Sequence, residues 1–178
     1  MSTTIPFYDI VNRFLLGCLF VVGVFVFHAY GILIFISELM QKSKIPAGAE
    51  TIITICFVAA IYEIGVILNR ISSVATEEFL IWIKAWPKRS DYVWYNKAKE
   101  HYKILPILAR EYDFYKGHIT LFLSLAIYSI VQCCWLYLIV CLAFAIIFII
   151  SGRKQSKRIN VLVKEFEETT PKITDMMV

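Results

Sequence analysis

The fold is decided by residues 119–150, ITLFLSLAIYSIVQCCWLYLIVCLAFAIIFII, which contain no charged residue, no Gly and no Pro. A transmembrane helix needs about 20 apolar residues, so this stretch is long for one span and short for two. One possibility is a single, steeply tilted helix. The other is a hairpin that turns near Gln132-Cys133-Cys134, with its first helix extended back to Phe114 and Lys116 reaching the lipid headgroups.

The rest of the chain also has the composition of a membrane protein. Of its 178 residues, 59% are apolar and 18% are charged, whereas soluble domains are about 45–50% apolar. Two further apolar runs, 15–40 and 51–70, flank a short polar turn. We expect these runs to form a first transmembrane hairpin, in which Gly17, Gly23 and Gly31 allow close packing of helices.

The distribution of basic residues favours four spans over three. Eight Lys and Arg lie in residues 71–117 and six lie in 152–178, against two in the turn 41–50. Basic segments stay on the cytoplasmic side, and two cytoplasmic segments must be separated by an even number of crossings. The sequence therefore predicts an all-α polytopic membrane protein, with four transmembrane helices in two hairpins and both termini cytoplasmic.

The predicted organisation has five parts: an N-terminal interfacial segment (1–14), a first hairpin (15–70, with helices at 15–40 and 51–70), a helical cytoplasmic connector (71–117), a second hairpin (114–151) and a basic tail (152–178).

The connector is predicted to be helical rather than a loose loop. Its apolar residues 79–83 continue the second helix as a stalk that ends at Pro87, and Ser90-Asp91 can cap a helix over 92–104. Aromatic and basic residues alternate here, but eight basic residues against six acidic ones leave a net charge of only +2. Direct binding of nucleic acid is therefore not expected.

The tail begins with a basic cluster. Candidates for contacts with anionic lipid headgroups are Arg153, Lys154, Lys157 and Arg158, together with Lys116. Residues 159–170 can form an amphipathic helix, and its apolar face contains Ile159, Leu162, Val163 and Phe166. We expect this helix to rest on the connector or on a neighbouring subunit.

Two ionisable residues, His28 and Glu63, interrupt the apolar runs of the first hairpin. Each lies twelve residues from the end of its run that is nearest the turn, which predicts similar depths in the bilayer. An ionisable side chain there is costly and indicates function by default. We expect a polar cluster of His28, Glu63, Tyr30 and Tyr62 that acts as a proton relay, a pore lining, a pH-sensitive switch or a structural hydrogen bond.

A second polar group precedes the first span. Asp9, Asn12 and Arg13 are spaced so that they share one face of a helix. Arg13 lies at the expected boundary of the membrane, where a long basic side chain can reach the headgroups. A structural contact, within an interfacial helix or with the connector, is the favoured interpretation.

The sequence contains no motif of a common enzyme class, such as a P-loop, GxSxG or HExxH. The five cysteines all lie in apolar runs and lack metal-binding spacing, so no cofactor and no metal site are expected. An enzyme is therefore unsupported, and the resemblance described next implies a non-enzymatic protein that acts on membrane permeability as a pore or gate. An ion- or proton-coupled transporter and an intramembrane, lipid-active enzyme that uses Glu63 as a base are the alternatives.

Residues 7–17, FYDIVNRFLLG, and the motif Arg110-Glu111-Tyr112…Tyr115-Lys116 resemble those of a group of small bacterial four-helix membrane proteins. These proteins accompany anti-phage systems, including RNA-targeting type VI CRISPR effectors. The chain departs from their pattern at Leu16, where a small residue or a proline is usual. The resemblance implies a homo-oligomeric inner-membrane effector whose partners are the lipid bilayer and a cytoplasmic defence nuclease or its products.

Overall fold

Most of the described part of the chain is helical, and it contains no strand. The computed structural model describes residues 7–42, 47–88 and 90–175, apart from the side chains at 27–42, 47, 49–50 and 170–175. Its elements are α1 (Phe7–Lys42), α2 (Ala47–Ile71), a π-turn (Ser72–Thr76), α3 (Glu77–Trp82), α4 (Tyr92–His101), α5 (Leu105–Val131) and α6 (Trp135–Asp175). Four stretches are long and apolar enough to cross a membrane: Phe7–Val26, Thr51–Trp82, Leu105–Val131 and Trp135–Thr169. The predicted all-α fold with four such helices is confirmed.

Residues 119–150 form a hairpin and not a single tilted helix. Cys133 adopts a left-handed conformation, with φ 55°, and this reverses the chain direction. The turn is closed by backbone hydrogen bonds from the N–H of Cys133 to the carbonyl oxygen of Ile130 (3.1 Å) and from the N–H of Cys134 to that of Ser129 (3.0 Å). The first helix of this hairpin begins well before Phe114, because α5 starts at Leu105.

The stalk predicted after the second span is present but ends earlier than expected. α2, the π-turn and α3 follow one another without a break up to Trp82. The expected stop at Pro87 is wrong, since Lys84 already adopts a left-handed φ of 57°. The N-cap of α4 is as predicted, because Asp91 Oδ1 accepts a hydrogen bond of 2.9 Å from the backbone N–H of Val93. That helix ends at His101, three residues before the predicted Ile104.

The tail is not a separate helix. α6 continues past Gly152 as one helix of 41 residues, which is about 60 Å long. The predicted apolar face is nevertheless present: Ile159 and Val163 are buried, and Leu162 and Phe166 pack against the same cluster. The tail therefore rests on the connector, as expected.

The helices enclose two apolar cores. The first, called the polar-end core, joins the connector to α5 and to the tail: Leu80, Trp86, Ala98, Leu105, Leu108, Tyr112, Ile119, Ile159 and Val163. The second, called the membrane core, joins the two hairpins: Leu16, Leu68, Leu121, Leu125, Ala126 and Cys141. Removal of this apolar surface from water stabilises the first core, whereas the second depends on close packing, because lipid tails are as apolar as the side chains.

α1 and α2 are in direct backbone contact at two glycines. A Cβ added at Gly17 would overlap the carbonyl group of Ile61, and one added at Gly65 would overlap the carbonyl group of Arg13. Small residues allow such a close approach of helices within membranes. The packing role predicted for Gly17 is confirmed.

Gly23 has the predicted packing role as well. A Cβ at this position would crowd the side chains of Leu125 and Tyr137, which belong to the second hairpin. Gly23 therefore contributes to the contact between the hairpins. The packing role predicted for Gly31 falls outside the described side chains and stays a prediction.

We predict that Gly65→Ala destabilises the protein although alanine favours helices. The new methyl group would force α1 and α2 apart, and overpacking of this kind costs about 1–3 kcal/mol. Gly48→Ala is the matched control, because a Cβ there meets nothing within 4 Å and should stabilise the helix by up to about 1 kcal/mol. Unfolding titrations in detergent measure both changes, and a stabilised Gly65→Ala variant would contradict the close contact.

Candidate functional site

A buried ion pair lies where the two cores meet. Glu77, at the start of α3, accepts a hydrogen bond of 3.0 Å from Lys116 Nζ on α5 through Oε2. Its Oε1 accepts a hydrogen bond of 2.8 Å from the hydroxyl of Tyr112. The side chains of Lys116 and Glu77 are only 4% and 8% exposed. Lys116 also contacts Asp113 Oδ1 at 3.1 Å, and that side chain is 57% exposed.

The π-turn directs polar side chains toward α5 just before this pair. Thr76, its last residue, is hydrogen-bonded to Thr120 with 2.7 Å between the two hydroxyl oxygens. Ser72, its first residue, is fully buried and donates a hydrogen bond of 2.6 Å to the carbonyl oxygen of Asn69. A π-turn accommodates one extra residue, which rotates the helix that follows by about 100° relative to an uninterrupted α-helix. The turn therefore sets the direction in which Glu77 points.

Lys116 is not a lipid-headgroup anchor, and this corrects the prediction from the sequence. Its ammonium group points into the protein, because Glu77 and Asp113 both offer it carboxylate oxygens. Two charges removed from water are tolerable only when they are paired and hydrogen-bonded. The pair thus fixes α3 against α5 in one arrangement.

Further polar contacts connect this region to α6. The indole Nε1 of Trp86 donates a hydrogen bond of 3.0 Å to the carbonyl oxygen of Ile149. Gln155 donates to a carboxylate oxygen of Glu111. Asn160 accepts from the hydroxyl of Ser90 at 2.6 Å and donates to the carbonyl oxygen of Lys88 at 2.9 Å. The connector, α5 and the tail therefore form one hydrogen-bonded unit.

The predicted cluster of His28, Glu63, Tyr30 and Tyr62 lies only partly in the described structure. The side chains of His28 and Tyr30 are outside it, so their contacts stay a prediction. Tyr62 is half-buried and Glu63 is exposed. No hydrogen bond or ion pair joins Glu63 to any side chain in the described ranges.

The register of the first hairpin does not support equal depths for His28 and Glu63. Where the backbones touch, Gly17 faces Ile61. Between this contact and the turn, α1 has 25 residues and α2 has only 14, from the bounds of the two helices. His28 lies eleven residues beyond Gly17 on the turn side, or about 16 Å, whereas Glu63 lies two residues beyond Ile61 on the other side.

Glu63 also points away from α1. Ile61 and Gly65 are buried in the contact with that helix, and Glu63 lies between them in sequence. Successive residues of an α-helix are about 100° apart, so a residue two positions from each lies on the opposite face. The side chains of residues 51–60 are all exposed as well. Glu63 thus lies on the outer surface of the hairpin.

The juxtamembrane residues Asp9, Asn12 and Arg13 divide into two environments. Asn12 is 8% exposed, and its Oδ1 has no hydrogen-bond partner within the described part of the chain. Asp9 and Arg13 are half-buried. The carbonyl oxygen of Arg13 forms part of the contact with Gly65, which agrees with a structural role for this segment.

The basic residues of the tail lie on the surface of α6. Arg153, Lys154, Lys157 and Arg158 are all exposed. Arg158 donates a hydrogen bond of 3.4 Å to Gln155 Oε1. Their contact with lipid headgroups stays a prediction.

The sequence did not reveal Glu77, Thr76 or Thr120 as members of a site. Glu77 and Lys116 are 39 residues apart, and no motif connects them. The one local signal of this site is the spacing of Tyr112, Asp113 and Lys116. Residues three or four positions apart lie on the same face of a helix, so this spacing places Tyr112 and Asp113 beside Lys116. Within the described residues, no group of three His, Cys, Asp or Glu side chains could hold a metal ion.

No protein-family model, curated protein or solved structure gives a significant match to this chain. The fold itself defines the class: a helical protein with four helices that are long and apolar enough to cross a membrane, and with a helical polar end.

We predict that the Glu77–Lys116 pair behaves as one unit in mutagenesis. Lys116→Met leaves a buried carboxylate without its counter-ion, so it should cost about 3–5 kcal/mol of stability. Combining it with Glu77→Gln should cost less than the sum of the two single changes. Asp113→Asn, at the exposed partner, should change stability by no more than about 1 kcal/mol.

The measurement is a double-mutant cycle of unfolding in detergent. Additive effects of Lys116→Met and Glu77→Gln would show that the two charges do not depend on each other, and would contradict the assigned pair.

Proposed function

We propose that the protein is a non-enzymatic effector of the bacterial inner membrane, which assembles into a homo-oligomer and controls permeability as a pore or gate. The observation that supports this proposal is the position of Glu63. It is the single charged residue between Thr51 and Asn69, and it lies on the outer surface of α2.

A carboxylate on this surface would face lipid in a single copy of the protein. Ionisable residues within a membrane instead face a bundle interior or a water-filled cavity. A second copy that packs against the outer face of α2 supplies such surroundings. Several copies around an axis would bring their Glu63 carboxylates into a ring, and rings of acidic side chains line cation channels.

The polar end belongs on the cytoplasmic side in this proposal. The start of α1, the connector and the tail share one end of the bundle if all four helices cross. The connector and the tail also contain most of the Lys and Arg residues, which is typical of cytoplasmic segments.

The biological setting rests on the resemblance to the accessory proteins of anti-phage systems. In that setting, activation of a cytoplasmic RNA-targeting nuclease leads to opening of the pore, loss of the membrane potential and slower growth of the infected host. The nuclease or its products would act as the partner at the polar end.

We predict that the purified protein makes liposomes permeable to monovalent cations, and that Glu63→Gln reduces this flux at least about tenfold. The physical reason is that removal of the ring of charge removes the attraction for cations within the low-dielectric membrane. Fluorescent reporters of potassium flux measure the effect. Glu78→Gln is the matched control, because Glu78 is an exposed carboxylate of α3 within the polar region.

In cells, wild-type protein together with an activated type VI nuclease should dissipate the membrane potential, and the Glu63→Gln variant should not. The proposed function would be overturned if the wild-type protein caused no cation flux in liposomes and no loss of membrane potential in activated cells. Saturable, pH-dependent uptake of one solute would instead identify a transporter.

We predict that both polar segments are labelled from the same side of the membrane. In inside-out vesicles of a variant without its native cysteines, a new cysteine at exposed Lys99 in α4 or Lys164 in α6 should react with a membrane-impermeant maleimide. Neither should react in intact spheroplasts. Labelling of the two positions from opposite sides would exclude four crossings.

A further inference from the structure

The polar end has an exposed apolar groove between the start of α5 and the tail. We call it the basic groove, and its lining residues are Ile104, Leu108, Lys154, Lys157, Arg158, Val161 and Leu162. Its volume is about 490 Å³. Ile104 is 52% exposed and Val161 is 62% exposed. The floor of the groove is thus apolar, and its rim is positively charged.

A second groove extends the same surface around α6. It is lined by Pro87, Lys88, Ser90, Lys157, Asn160, Val161 and Lys164 and has a volume of about 450 Å³. The two grooves share Lys157 and Val161. Together they contain five basic side chains, and no Asp or Glu of the described residues lines either one. None of the five cations has an ion pair within the described structure.

The order of residues along α6 argues against a lipid as the occupant. The apolar run of this helix ends at Ile150. Lys154 follows within about 6 Å of Ile150 along the helix, whereas Val161 lies about 16 Å beyond it. A bound phospholipid needs its apolar contacts nearest the bilayer and its cations further out. The groove has the opposite order.

A partner that approaches from water could contact both the apolar floor and the basic rim of the groove. Apolar side chains on one face of a helix would cover Ile104 and Val161, and acidic residues along its edges would meet the cations. Such helix-in-groove contacts are a recurrent mode of recognition. Charge complementarity would favour acidic partners over basic ones and speed their association.

We propose that the basic groove is a docking site for an amphipathic helix of a protein partner, with an apolar stripe flanked by acidic residues. This site does not depend on the permeability function, because it involves neither Glu63 nor any residue within the apolar runs. It provides the polar end with a way to receive a soluble partner.

The test uses the full-length protein in nanodiscs of phosphatidylcholine and a fluorescent helical peptide of about 16 residues, long enough to form a helix. The peptide has Leu at i, i+3, i+4 and i+7 spacing and Glu on both flanks. Fluorescence anisotropy should show saturable binding that weakens as salt increases. Peptides with Gln in place of Glu, or with Ser in place of Leu, should each bind at least about tenfold more weakly.

Two charge reversals on the same helix locate the site. Lys157→Glu, in the rim shared by both grooves, should weaken binding at least about tenfold. Arg153→Glu changes the net charge equally, but Arg153 is exposed and lines neither groove, so it should weaken binding less than about threefold. Circular dichroism and size-exclusion chromatography confirm that both variants are folded.

Three results would overturn the proposal. The first is no binding of the acidic peptide. The second is an equal loss for Lys157→Glu and Arg153→Glu, which would indicate unspecific attraction to a basic surface. The third is complete competition by nanodiscs of phosphatidylglycerol for the wild-type protein, which would assign the groove to anionic lipid.

Discussion

The buried contact of Glu77 with Lys116 and Tyr112 determines how the polar end is attached to the membrane bundle. It lies between two apolar cores, one built by the connector and the tail and the other by the two hairpins. An ion pair with so little exposure depends on both partners, because removal of either one leaves the other buried charge with fewer compensating contacts. The connector is therefore held to α5 in a single arrangement, and Trp86 and Asn160 continue this attachment to α6.

A second constraint, the backbone contact at Gly17 and Gly65, determines which residues of the first hairpin face lipid. Close approach at this point places α1 on one side of α2. Glu63 consequently lies on the other side. The exposure of Glu63 is therefore a consequence of the contact between α1 and α2. The sequence predicts a carboxylate that pairs within the hairpin, whereas the structure places it on the outer surface. A charge that the single chain does not cover is the observation on which the proposed assembly of several copies rests.

The two proposals use different surfaces of the molecule. The surface with Glu63 lies within the apolar runs and is suited to assembly of identical copies in the membrane. The basic groove lies beyond the end of the apolar part of α6 and is suited to a partner from the aqueous side. The continuous helices α2–α3 and α6 connect these regions. Each proposal can fail without the other, because they share no residue.

The sequence by itself determined the class of the fold, the cap at Asp91 and the apolar face of the tail. These features depend on length, composition and local spacing, which a single segment contains. The sequence also favoured the hairpin at 132–134 over a single tilted helix, through the distribution of basic residues, and the structure decided between the two. Only the tertiary structure decided that Lys116 turns inward to Glu77, that the π-turn precedes this pair, and that Glu63 and His28 differ in depth. The physical reason is that lipid-facing and core-facing sides of a membrane helix are both apolar, so the sequence pattern carries little information on the rotation and register of helices that are distant in the chain.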